Sequence, residues 1–532
     1  MGAMQWQPRL SPFGRWGNAA GAATAQERLF LEAVARDRLG VTDPPVHSAP
    51  VQLPPSRVSP PDVLSGFVVD RAADRVAHAW GKSFPDLARA LSGRADFAPD
   101  LVAYPKDSGD VAAILDWATG AGVAVIPYGG GTSVVGGVTP AVDDSFNGTL
   151  TLDLQRLDAV LDVDPVSRAA HIQAGILGPA LARELEPHGL ALRHYPQSYE
   201  FSSLGGWIAT RAGGHYATGP THIEDLVEAV TVLSPAGEWQ TRRLPASGAG
   251  PDPVRFAAGS EGALGVITDA WVRLQQRPRF RASAIITFAS LTRAVAAVRA
   301  IVQSGLQPAN LRLLDRVEAA NTGAGDGSHE VLVLGFESAD HNVSVSREQA
   351  LTLCRDHGGA VVEQADAATP EGQGGAWRSA FLRMPYFRDV LLEYGVVSET
   401  FETAVTWDGF ARLHESVSEA VSSALNSEGL SPATVSCRFT HVYPDGVAPY
   451  FTVIARGRPG DLERQWWTVK CAAMEAIESS GGTVTHHHAV GRDHMPWYRQ
   501  EQPALFGAAL AAGRRALDPA GIMNPGVLVP AP

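Results

Sequence analysis

Three consecutive histidines, His486-His487-His488, stand in a chain of 532 residues that holds only 16. Imidazole titrates nearer neutrality than any other ordinary side chain, so such a run points to proton transfer, substrate binding or a metal. A metal needs further ligands of matching type, and none is evident nearby in the sequence. Proton transfer or substrate binding is therefore the reading, with no metal. Thr483 to His488 reads as a strand, on which His486 and His488 share one side and His487 faces the other. Three further groups stand out: Tyr450 in Tyr450-Phe451, Arg388 in Tyr386-Phe387-Arg388-Asp389, and Arg312 in Leu311-Arg312-Leu313-Leu314-Asp315. Each has a plainer reading: Tyr450 as a core aromatic, Arg388-Asp389 as a surface pair, Arg312 as a structural charge on an apolar strand.

A second kind of chemistry lies in three glycine-rich segments. Pro127-Tyr128-Gly129-Gly130-Gly131-Thr132-Ser133 follows a strand directly. Its glycines let backbone N–H groups converge on an anion, and Thr132 and Ser133 add hydroxyls. Alone, such a run is equally a tight turn, and it is neither the GxGxxG fingerprint nor a Walker A loop. Pro196-Gln197-Ser198, with Ser202-Ser203-Leu204-Gly205-Gly206-Trp207, is the second segment, and Gly259-Ser260-Glu261-Gly262-Ala263-Leu264-Gly265-Val266-Ile267 is the third. Small residues inside apolar stretches imply close backbone approach to something flat or anionic.

The elements that must position these groups fall into an α+β order. A helix is expected over about residues 24–39, with Leu29, Leu31, Val34 and Leu39 on one face, then a proline-rich extended stretch over residues 43–62. From about residue 97 strands and helices alternate. Val102 to Pro105 reads as strand, Asp110 as the cap of a helix, and Val123 to Ile126, Leu150 to Leu154, Ala170 to Ala174, Ala229 to Leu233 and Val266 to Leu274 as strands. From about residue 280 two β-α-β-β-α-β-like successions follow, suggesting ferredoxin-like halves on a shared antiparallel sheet. The expected division is 1–96 as a helical and proline-rich lead-in, 97–278 and 279–500 as two domains, and 501–532 as a return to the first.

Bulk properties bound the possibilities. Hydrophobic residues at 45% and charged residues at 19% suit a globular protein of two or three domains. A net charge of -13 argues against a nucleic-acid partner. Cys354, Cys437 and Cys471 are far apart and form no CxxC pair, which fits a reducing cytosol and buried thiols. No apolar run reaches the roughly 18 residues of a membrane span, and the N-terminus lacks a signal-peptide core. A cytoplasmic protein is the expectation.

The order PxGGGTS, PxSxEFSxxGGWxxTRAxG, IEDLV and GSEGxLGVIT, over about residues 97–278, resembles the FAD-binding domain of the vanillyl-alcohol-oxidase/PCMH flavoprotein superfamily. Asp518-Pro519-Ala520-Gly521-Ile522-Met523-Asn524-Pro525-Gly526 resembles the tail by which such enzymes return to the flavin domain. The resemblance implies FAD held by Pro127, Gly129, Gly130, Gly131, Thr132, Ser133, Pro196, Ser198, Ser203, Gly205, Gly206, Glu261, Gly262 and Ile267. Many relatives bond FAD through a histidine in the first loop; Thr132 stands there, so non-covalent FAD is implied. Arg312, Arg388, Ser398-Glu399-Thr400-Phe401-Glu402, Tyr450 and His486-His487-His488, in that order, resemble the alkyldihydroxyacetonephosphate synthase branch. That likeness implies exchange of the acyl group of acyl-dihydroxyacetone phosphate for a fatty alcohol through a flavin N5 adduct. Tyr450, His486, His487 and His488 would be catalytic, Arg388 would grip the phosphate, and Arg312 would support the site. This branch typically has an acid where Gln197 stands, and the Asn524-Pro525-Gly526 ending is shared with hydroxy-acid oxidases. The alternative is therefore an FAD-linked oxidase or dehydrogenase of a 2-hydroxy acid or alcohol, with Arg388 on a carboxylate. A homodimer goes with the resemblance, as does room for peripheral membrane contact.

Overall fold

Val123, Ala124, Val125 and Ile126 have no solvent exposure, as a strand covered on both faces requires. In the computed structural model, which describes residues 6–10, 14–366 and 373–529 (backbone alone for 373–380), they belong to a four-stranded sheet. Its order is Val68–Val69, Leu101–Ala103, Gly148–Asp153, Val123–Tyr128; the last three run parallel and the first antiparallel. The helix Ser108–Ala121 packs on it. That helix starts one turn earlier than expected: Asp107, not Asp110, is the cap, accepting the Asp110 N–H at 2.9 Å. A five-stranded antiparallel sheet follows, ordered Val160–Asp164, Ala169–Gln173, Val266–Arg273, Val227–Ser234, Gly237–Gln240. Both sheets share one apolar core, which Ile522 and Met523 complete from the C-terminal tail. The tail is pinned there by main chain. Val125 donates to the Ile522 carbonyl at 2.8 Å, and Asn524 N–H donates back to the Val125 carbonyl at 2.9 Å.

The second half of the chain forms one antiparallel sheet ordered Ala360–Ala365, Phe280–Phe288, Glu330–Ser338, Asn310–Leu314, Ala433–Val442, Gly446–Arg456, Val396–Glu402. Two β-α-β-β repeats meet where Leu314 faces Arg438, as the paired pattern implied. Helices Leu291–Gln303, Ser344–Asp356, Phe410–Ser427 and Leu462–Ser479 bury their apolar stripes on it. One expectation fails: Thr483 to His488 is not a strand but an irregular turn. A single buried acid has taken the main-chain N–H groups that a ladder would need.

The N-terminal segment clamps this second sheet. Thr24 caps the helix Ala25–Ala33 in a capping box with Glu27, and the chain continues as a wider turn over Val34–Arg38. Leu31 and Leu39 pack on Val390, Leu391 and Val396, whereas Leu29, expected on the same face, is 68% exposed. Residues 43–61 form no helix or strand, only an isolated bridge between Gln52 and Arg94. Among the described residues no helix is long and apolar enough to cross a membrane.

Candidate active site

The strand Val123–Tyr128 ends at the sheet's edge and delivers the loop from Gly129 to Ser133 against the segment from Phe201 to Ser203. A Cβ on Gly130 would lie 1.7 Å from the Phe201 carbonyl oxygen, so only glycine permits this approach. Ser133 Oγ accepts the Gly137 N–H at 2.9 Å and closes the loop. Two adjoining cavities, of about 90 and 190 Å³, flank it and share Gly129, Ser133, Ser203 and Gly206. Pro127, Gly205, Glu261, Gly262 and Ile267 line the smaller. Gly130, Gly131, Thr132, Pro196 and Ser198 line the larger. The three glycine-rich segments therefore converge on one cleft.

The opposite wall of the larger cavity comes from the second sheet and the histidine turn: Arg312, Arg438, His441, Tyr450, His487 and His488. Its organiser is Glu402, only 1% exposed, at the end of Val396–Glu402. The carboxylate accepts the N–H groups of His486, His487 and His488 at 2.8, 3.0 and 2.9 Å and the Thr485 hydroxyl at 2.6 Å. Burial pushes this carboxyl up, but His487 and its neighbours outweigh that and hold it well below the ordinary range. His487 Nδ1 lies 3.3 Å from Glu402 and 3.0 Å from His486 Nδ1. A carboxylate only accepts, so the His487 proton is assigned to Nδ1, leaving the Nε2 lone pair free. His486 Nδ1 then accepts, and its Nε2–H donates to Tyr443 Oη at 2.7 Å.

Burial drives His488 down to about 3 and His441 and His486 well below their usual value, so these rings are neutral. Burial also raises the Tyr450 hydroxyl, against the pull of Arg438, whose guanidinium carbon lies 3.8 Å from the ring centroid. Arg438 is paired with buried Glu318 at 2.5 Å. Arg312, 2% exposed, donates to the His215 carbonyl at 2.8 Å; burial, then Arg438, push it down to about 9. The wall thus offers a neutral phenol, the neutral imidazoles of His441 and His488, and the cationic guanidinium of Arg312.

Not every expected residue meets here. His486 lies behind the wall, between Tyr443 and His222. Arg388 is not on the wall; it sits on the helix Gln373–Glu393 next to Asp389, whose carboxylate accepts the Trp16 N–H. Glu261 turns its carboxylate to the Val490 and Gly491 N–H groups, at 2.8 Å each, and so ties the first domain to the histidine turn. Gln197 donates to the Phe381 carbonyl at 2.6 Å. Sequence reasoning named Glu402 only within the segment Ser398 to Glu402, with no role of its own, and passed over Arg438, Glu318 and His441. The ring nitrogens of His441, His486 and His487 lie within 4.8 Å of one another, a spacing that a cation also accepts. Tyr443, Glu402 and the Gly214 carbonyl already engage a nitrogen on each of these rings. A larger cavity of about 540 Å³, lined by Val405, Met474, Ile477 and Trp497, touches this cluster only through Tyr443.

Residues 99–242 match the family described as FAD binding domain, and residues 277–528 match that of FAD linked oxidases, C-terminal domain. The chain is 30% identical over 486 residues to an alkyldihydroxyacetonephosphate synthase of Trypanosoma brucei brucei, covering 86% of this chain and 78% of that protein. A glycolate oxidase subunit GlcD of Bacillus subtilis is 26% identical, over 80% of this chain and 88% of its own. A solved alkyldihydroxyacetonephosphate synthase superposes with a TM-score of 0.75 at 25% identity, covering 93% and 92% of the two chains. Fold and site together define an FAD-dependent enzyme with a PCMH-type flavin domain and a cap. Within that class the chain belongs to the alkyldihydroxyacetonephosphate synthase family.

The cleft suits this cofactor: glycine backbone that a Cβ would obstruct lines one side, and two contiguous cavities extend along it. Bound FAD supplies an electron-accepting ring at this junction.

Proposed function

We propose that the protein exchanges the acyl group of an acyl-dihydroxyacetone phosphate for a fatty alcohol. The observation that carries this reading is the placement of Tyr450, His487, His488 and Arg312 on one wall facing the glycine loop across a single cavity. A departing fatty carboxylate meets the guanidinium of Arg312, and the incoming alcohol gives its proton to His487 Nε2. Glu402 stabilises the imidazolium that results, as a buried carboxylate beside the opposite nitrogen does in other acid–base sites. Tyr450, kept protonated by burial, donates to a substrate oxygen. FAD is held without a covalent bond by the residues from Gly129 to Ser133, Ser203, Gly205, Gly206 and Gly262, because no nucleophile of the usual type stands at Thr132. Arg388 receives the phosphate. We assign the enzyme to the cytoplasm as a homodimer that meets its lipid at a membrane surface.

The test is anaerobic addition of palmitoyl-dihydroxyacetone phosphate to the yellow protein, with and without hexadecanol. Release of palmitate and formation of the ether product without net bleaching of the flavin is the expected result. Bleaching by a 2-hydroxy acid, with no response to the lipid, would transfer the protein to hydroxy-acid oxidation.

A further inference from the structure

The histidine turn is bonded from behind to two neighbouring residues of the segment that matches the FAD binding domain, Thr221 and His222. His222, half-buried, holds its Nε2 2.8 Å from the His486 carbonyl oxygen and its Nδ1 3.2 Å from the Thr221 hydroxyl. Thr221 is 2% exposed, and its hydroxyl meets Tyr443 Oη at 2.9 Å. Tyr443 Oη meets His486 Nε2 at 2.7 Å, and His486 Nδ1 lies 3.0 Å from His487 Nδ1. Side chains from both halves of the protein thus form one unbroken line that ends on His487, a residue of the cavity wall.

The donor at each link follows from the ends. A carbonyl oxygen only accepts, so a neutral His222 carries its proton on Nε2 and its Nδ1 accepts. The Thr221 hydroxyl then donates to that nitrogen, which leaves its oxygen to accept from Tyr443. Tyr443 Oη in turn accepts from His486 Nε2–H, so His486 Nδ1 is bare and accepts from His487 Nδ1–H. Burial keeps His486 neutral and the Tyr443 phenol protonated, so each has one proton to give along the line. Glu402, 3.3 Å from His487 Nδ1, demands the same tautomer from the other end. A carboxylate and a carbonyl therefore close the line, and neither can become a donor. Reversing the line would set lone pair against lone pair at both ends, a cost that buried groups do not meet for want of water.

We infer that Thr221, His222 and Tyr443 are positioning residues that fix His487 in its Nδ1–H form, so that Nε2 stands unprotonated toward the cavity. This deepens the proposed function and rests on it in one respect, that His487 takes the hydroxyl proton. Because the line begins in the FAD-binding segment and ends in the cap, the base is set only where the two are joined.

The test reads tautomers and rates separately. NMR of the FAD-loaded protein with isotopically labelled histidine nitrogens reports the tautomer of each ring, His486→Gln and His487→Gln assigning the signals. Wild type is expected to show His487 protonated on Nδ1 and His486 on Nε2. Thr221→Val keeps the side-chain shape and removes the hydroxyl, and Thr221→Ser returns it. In Thr221→Val the single form should give way to a mixture at His486 and His487. Its kcat for palmitate release should fall about tenfold with KM unchanged, the scale of one lost positioning hydrogen bond. Thr221→Ser should restore both readings. Should the valine variant fail its thermal melt, Tyr443→Phe cuts the next link and is expected to give the same two losses. A wild-type spectrum with His487 protonated on Nε2 would overturn the inference, as would wild-type tautomers and kcat in folded Thr221→Val. The spectra need no turnover, so failure of the synthase reading would show separately, as lipid left unconverted by a protein whose His487 is in the Nδ1–H form.

Discussion

The two walls of the active-site cleft are built on opposite principles. The flavin-side wall is backbone: loops of small residues, contiguous in sequence, whose contribution is the absence of side chains and the direction of N–H groups. The cap-side wall is side chains drawn from several separate segments, including Asn310–Leu314, Ala433–Val442, Gly446–Arg456 and the histidine turn. On the first wall a methyl group is an obstruction. On the second, a single buried carboxylate holds three consecutive residues in place. Glu402 is to the cap side what glycine is to the other: the residue that sets the backbone path.

That contrast can be broken experimentally. Gly130→Ala should have the largest effect, because its methyl would enter the Phe201 carbonyl. The variant is expected to lose FAD at purification or to bind it at least about a hundredfold more weakly, a magnitude within reach of one severe steric clash. Flavin absorbance reads this directly, and wild-type binding would show that the loop is not a backbone cradle. Glu402→Gln attacks the other wall. The flavin spectrum should remain while kcat falls by about 10²–10³, the range for losing a positioned acid–base group. Loss of flavin together with activity would mean that the walls are not separable.

Glu261→Gln probes the link between the walls and should have the smallest effect. Burial pushes the Glu261 carboxyl up to about 7 from 4.5, outweighing the two N–H groups that favour its charged form. A folded value above the unfolded one contributes stability that is complete below about 4.5 and is lost as pH rises through about 7. The Tm advantage of wild type over Glu261→Gln should therefore shrink between those values. An advantage that grows with pH instead would show a Glu261 that is ionised throughout, with its two N–H bonds dominant.

Much of the backbone was legible. The strands expected from Val123 and Val266 begin at those residues. These elements lie on buried sheets, where local pattern and tertiary demand agree. The helix Gln373–Glu393 escaped because Pro385 stands inside it, which in a sequence reads as a break. Its consequence is functional, since it carries Arg388 and Asp389. Thr483 to His488 was read as strand because the β-branched Thr483, Val484 and Thr485 open it; the pull of Glu402 on three successive N–H groups is non-local and leaves no local trace.

The sequence, through its resemblance to PCMH-type flavoproteins, determined the cofactor class and part of the wall that faces it: Arg312, Tyr450, His487 and His488. Glycine runs and a histidine triplet are contiguous, and their chemistry follows from residue type. Only the tertiary structure decided which of those groups share a cavity, that His486 stands behind it, that Arg388 stands apart from Tyr450, and that Glu402 sets the histidine turn. The reason is physical. A buried charge is tolerated only where distant segments bring it partners, and those partnerships are made across the sheet rather than along the chain.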